Sequence, residues 1–189
     1  MNRFIYFILI IVISSSLISC DKLKGKSTQK NYDSLFLGFS LGMEKKAFYD
    51  LCTSYNQKKL FTHGPTNQSV EYLLTNETKS KVIMRFYPSF ENDKIYEMPV
   101  TFTYEAWAPW NRQFQSDSLL IDMVKVFKKW YGNEFQIVNH KTMGTIYAKM
   151  DGKRRINLFI KDDQFVQAVF TDLEVEDQKI EKAKAKPTE

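Results

Sequence analysis

The sequence holds few of the residues from which reactive centres are usually assembled. It has two cysteines, two histidines and seven glycines, and the glycines nowhere cluster. The histidines, His63 and His140, are far apart, and no run of Asp and Glu has the spacing of a calcium loop. A metal site is therefore not expected. Without a glycine-rich loop there is no phosphate cradle of the nucleotide-binding kind, and no cofactor is expected. Acidic residues are scattered among the basic ones, and the formal charge is only +5. Nucleic-acid binding needs a concentrated basic stripe, which is missing. The apolar run from Phe4 to Val12 is far short of the roughly 20 residues that span a bilayer as a helix.

What the chain does have is aromatic bulk. Fifteen Phe, ten Tyr and three Trp bring the aromatic content to 15%, and the apolar content is 43%. That much apolar surface supports a folded body and excludes a disordered one. Large rings favour a β-rich core.

The first residues run in the order of an export signal. Asn2-Arg3 supplies a short positive start, Phe4–Val12 the apolar stretch, and Ile13–Ser19 a small, polar end. Leu17-Ile18-Ser19-Cys20 resembles the bacterial lipobox. The resemblance implies that residues 1–19 are a cleaved signal peptide and that Cys20 carries a diacylglyceryl group. One acyl chain binds a membrane marginally, whereas two or three hold it. Residues 20–31 are then a lipidated Cys and a polar, flexible tether that keeps the domain roughly 20 Å from the lipid. The expected address is the envelope of a Gram-negative bacterium, at the outer membrane facing the periplasm. Asp21 after the Cys is compatible with either membrane. With Cys20 acylated, Cys52 has no partner and reads as a buried, inert thiol.

In the remainder, two segments have helical periodicity. Met43, Ala47, Phe48, Leu51, Cys52 and Tyr55 form one stripe, and Leu119, Leu120, Met123, Val124, Phe127, Trp130 and Tyr131 another. Strands are expected at Ser69–Thr75, Lys81–Tyr87, Lys94–Tyr104, Glu134–Asn139, Thr145–Met150, Lys153–Ile160 and Gln164–Asp172. Asp151-Gly152 signals a hairpin with a type I′ turn, and Asn92-Asp93 and Asp162-Asp163 signal two more tight turns. Pro99 lacks an amide donor, which points to an edge strand or a bulge. The fold class is thus α+β, with two helix-then-antiparallel-meander repeats of about 70–73 residues and helices packed on one face of the sheet or sheets. The first repeat and a Trp-rich connection occupy residues 32–112, the second 113–173, and a charged, disordered or frayed tail 174–189.

The start "FSLGMEKKAFYDL" and the helix-then-meander order resemble the BamE-like and beta-lactamase-inhibitor-like domains of secreted proteins and lipoproteins. "NDKIYEMPVTFTYEAWAPWN" resembles an uncharacterised family of Gram-negative lipoproteins. Neither resemblance brings an activity or a matching set of binding residues.

Few groups offer chemistry. Cys52 with His63 or His140 would be a thiol–imidazole pair, but Cys52 lies on an apolar helix stripe. Asp162 and Asp163 are adjacent and suit a turn better than a catalytic pair. Lys153-Arg154-Arg155 reads as a solvated hairpin end or a weak attractor of anionic lipid. Tyr55–Asn67, broken by Gly64-Pro65, reads as a connecting loop. The most unusual stretch is "YEAWAPWNR", in which Trp107, Trp110 and Arg112 have the composition of a protein-binding hot spot. They equally suit a plug between the two halves. Three functions remain open: a non-catalytic envelope protein that binds another protein, a carrier of an apolar small molecule or lipid in a pocket between helices and sheet, and an enzyme of unrecognised type.

Overall fold

A computed structural model gives the fold and describes residues 32–66 and 69–185. The expected signal peptide, Cys20 and tether lie outside the described residues. From Tyr32 onward the chain is one compact unit. It is α+β, with a nine-stranded antiparallel sheet and three α-helices.

The strands are β1 (Phe61–His63), β2 (Val70–Leu74), β3 (Val82–Phe86), β4 (Ser89–Glu91), β5 (Lys94–Tyr104), β6 (Gln136–His140), β7 (Gly144–Asp151), β8 (Arg154–Ile160) and β9 (Val166–Asp172). Their spatial order is β1-β2-β3-β5-β9-β8-β7-β6, with β4 also paired to β5. Two strands were not expected. β1 falls in the segment read as a connecting loop, and β4 is only three residues long. The helices are α1 (Lys45–Gln57), α2 (Ser116–Tyr131) and α3 (Leu173–Ala185).

One row of the sheet shows where the helices lie. Phe61, Tyr72, Met84 and Phe102 are successive cross-strand partners and so share a face. Phe61 packs against Tyr55 of α1, with ring centroids 4.7 Å apart, and Phe102 against Phe127 of α2 at 5.9 Å. Both helices therefore cover the same face. Fully burying each such ring contributes about 1.5–3 kcal/mol. The other face carries Glu71, Arg85, Thr101, Gln167, Asn157 and Phe159, all half-exposed.

Residues 32–44 lie between the two helices and act as a strap. Phe39 packs against Phe48 of α1 at 5.2 Å and against Phe86 at 5.4 Å. Phe36 reaches Phe86 at 5.1 Å and Phe170 at 5.8 Å. The Tyr55 hydroxyl donates to the carbonyl of Leu37, and the Tyr131 hydroxyl to that of Leu35. The strap is thus pinned from both helices.

Two local expectations change, and the segment after Asp172 is helical as far as Ala185. The type I′ turn is at Asn92-Asp93, where both φ angles are positive, 49° and 58°, and not at the hairpin after Asp151. There only Gly152 has a positive φ, 57°, which is the pattern of a type II′ turn. Pro99 is in a central strand, opposite Val169 of β9. It is tolerated where the neighbour on the other side changes from β3, last paired at Val100, to β4, first paired at Glu97. The segment after Asp172 forms α3 directly. Asp172 Oδ1 accepts from the amides of Glu174 and Val175, a helix N-cap. Arg155–Glu176 and Lys179–Glu91 ion pairs then hold the helix to the end of the sheet.

Candidate functional site

The Trp-rich stretch is a tight loop between β5 and α2. The amide of Trp107 donates to the Tyr104 carbonyl at 3.1 Å, and that of Asn111 to the Ala108 carbonyl at 2.9 Å. A short 3-10 turn, Arg112–Phe114, follows. Gln115 Nε2 donates back to the Pro109 carbonyl, and Lys79 Nζ to that of Gln113. Under the loop, the Tyr104 hydroxyl donates to Asp122 of α2 at 2.7 Å.

The two indoles have different surroundings. Trp107 is half-buried against the core, and its Nε1 is buried without an acceptor among the described residues. Trp110 is 85% exposed, and Arg112, two residues further on, is exposed as well. The loop therefore offers one flat apolar ring and one guanidinium on a backbone that is hydrogen-bonded in place.

Its position relative to the strap follows from β8. Arg154, at the first residue of β8, donates to the Ser34 carbonyl. Beyond the last residue of β8, the Asp163 carbonyl accepts from the Ser116 amide at the start of α2, next to the loop. At about 3.3 Å per residue, the strap's entry and the Trp loop are roughly 20 Å apart along the strand direction.

Lys153-Arg154-Arg155 is not a solvated patch. Arg154 is buried, paired with Asp151 at 2.8 Å, and lies over the Tyr131 ring at 5.1 Å. Lys153 pairs with Asp172 at 3.1 Å and Arg155 with Glu176 at 2.8 Å. Lys149 is buried nearby between Asp151 and Glu134, at 3.0 Å and 2.5 Å. Burial works against its charge, but the hydrogen bonds to the two carboxylates outweigh that and raise its pKa. The signal was present in the sequence. Arg154 has the same strand parity as Ile156 and Leu158, which are both core residues.

Cys52 and His63 line one recess of about 170 Å³ together with Tyr49 and Tyr87. Burial pushes the Cys52 thiol up to about 11, so at neutral pH it is not a thiolate. His140 lies in the β6–β7 hairpin, where its Nδ1 faces the amides of Thr142 and Met143. Asp162 Oδ1 accepts from the amides of Gln164 and Phe165, the turn role expected for it.

A larger cavity, about 470 Å³, opens between the strap, β2 and the end of α2. Leu35, Phe36, Leu37, Leu74, Met84 and Trp130 are among its walls, and Thr75, Asn76 and Glu77 are at its polar side. The sequence allows such a pocket as a class but does not locate it. Comparison with family models, curated proteins and solved structures gives no match.

Proposed function

We propose that this protein is a lipid-anchored, non-catalytic envelope protein that binds another protein through Trp110 and Arg112. In this reading Cys20 is acylated, residues 20–31 are the tether, and the domain stands at the outer membrane facing the periplasm. Trp107 is a packing residue that supports the loop. The observation that carries the reading is the 85% exposure of Trp110 on a braced loop at the opposite end of β8 from the strap. A large exposed indole with an exposed arginine two residues on is the composition of an interface hot spot. Fixing both molecules at one membrane raises their effective concentration.

The test is a photo-reactive residue at position 110, irradiated in living cells, with position 180 as the control. Ile180 is also exposed, at 44%, but lies on α3. One reproducible adduct from position 110 and none from 180 is expected. Equal labelling, or none, overturns the proposal.

We also infer that the two halves are copies of one helix-then-meander unit. A shift of 70 residues carries Met84↔Phe102 onto Arg154↔Asp172 and Phe86↔Val100 onto Ile156↔Phe170. The core-facing side is kept throughout. The order β1-β2-β3-β5 is mirrored by β6-β7-β8-β9 about the β5–β9 pair. Relatives whose halves fail to align at this offset would count against the duplication.

A further inference from the structure

We propose that the cavity between the strap, β2 and α2 binds a single-chain amphiphile, with the hydrocarbon tail inside and an uncharged or zwitterionic head at the mouth. Its volume of about 470 Å³ is within the roughly 300–1,000 Å³ of small-ligand sites. Leu35, Leu74, Met84 and Trp130 give it apolar walls, and Thr75 and Asn76 supply hydrogen-bonding groups on one side. Glu77 on that side pairs with Lys129 at 3.0 Å. The pair presents both signs and no net charge, which suits a glycerol or phosphocholine head better than a bare carboxylate.

The wall is also built at a cost. Leu37 has φ 49°, in the left-handed region that a leucine rarely enters. Strain of this kind persists only where the surroundings over-determine it. Here Tyr55 of α1 holds the Leu37 carbonyl and Tyr131 of α2 holds that of Leu35. The cavity wall is therefore fixed from both helices before any ligand arrives. The proposal does not depend on the role of Trp110.

Trp130 is one of three tryptophans in the chain and becomes the only one in a full chain carrying Trp107→Phe, Trp110→Phe and Cys20→Ser. The probe is a monoacylglycerol brominated on its chain, added below its aggregation concentration. Saturable quenching of Trp130 is expected. Affinity should rise about fourfold per added methylene, from eight to ten carbons, as each leaves water. Thr75→Phe, at the exposed mouth, should weaken binding at least tenfold with an unchanged circular dichroism spectrum. Asn76→Phe serves in its place if that variant does not fold. Absent or non-saturating quenching, affinity indifferent to chain length, or binding unaffected by the mouth variant would each overturn the proposal.

Discussion

The Tyr131 hydroxyl donates to the main-chain carbonyl of Leu35 across 3.0 Å, although the two residues are 96 positions apart. The contact ties the end of α2 to the start of the strap. Arg154 stacks on the same tyrosine and donates to Ser34, so helix, sheet and strap meet at one polar junction.

Arg154→Ala should destabilise the protein by about 1–3 kcal/mol, because it removes a buried side chain that packs on Tyr131, holds the Ser34 carbonyl and shares Asp151 with Lys149. Arg155→Ala removes a half-exposed pair and should cost under about 1 kcal/mol. Urea titration of both variants checks the ratio. Limited proteolysis should find the strap newly cleavable in the first variant only. Equal costs would mean that the junction contributes nothing special.

Stability should fall at alkaline pH. Burial pushes the Tyr104 and Tyr131 hydroxyls well above their ordinary range, and the Asp122 carboxylate adds to this at Tyr104 while Arg154 opposes it at Tyr131. Lys149 is raised as well. All three groups hold protons more tightly folded than unfolded, so their contribution is complete below the unfolded values, about 10 for Tyr and 10.4 for Lys. It is lost as the pH rises beyond them. Urea midpoints should therefore be insensitive to these groups from pH 7 to 9 and drop above about pH 10. Tyr131→Phe should flatten the drop. A midpoint that holds steady through pH 11 would contradict this.

The two tryptophans of the loop should separate cleanly. Trp107→Phe removes a buried donor that has no acceptor among the described residues, which offsets much of the lost ring area, and should cost less than about 1 kcal/mol. Trp110→Ala touches no core contact and should stay within about 0.5 kcal/mol of the parent. If Trp110→Ala is the more damaging of the two in thermal melts, the indole is a packing residue and the interface reading fails.

Asp172→Ala should loosen α3 by removing its N-cap and one of the two carboxylates paired with Lys153, at about 1–2 kcal/mol. Asp172→Asn keeps an accepting oxygen and should cost less. Hydrogen exchange should show the amides of α3 opening first in the alanine variant.

Long, strongly periodic elements were legible from the letters. α2 holds the expected stripe and β5 has the expected bounds, because their apolar positions repeat over many residues. β1 and β4 were not legible, because three residues carry too little alternation to separate a strand from a loop. The strap was missed for a different reason. Phe36, Phe39 and Leu41 are core residues without helical or strand periodicity, and only the gap between two helices gives them a place. The cavity inherits that difficulty, since its walls come from segments far apart in sequence. The Trp loop was noticed by composition alone, and its two indoles could be told apart only once one was seen to be packed and the other exposed.

The strap's burial also decides where this chain can change length. Phe36 and Phe39 cannot be moved along the sequence without emptying space beside Phe86, so an insertion between Tyr32 and Leu41 would be selected against as a folding defect. Homologues are therefore expected to hold the spacing from Phe36 to Leu41 fixed, since each of these side chains fills a place in the core.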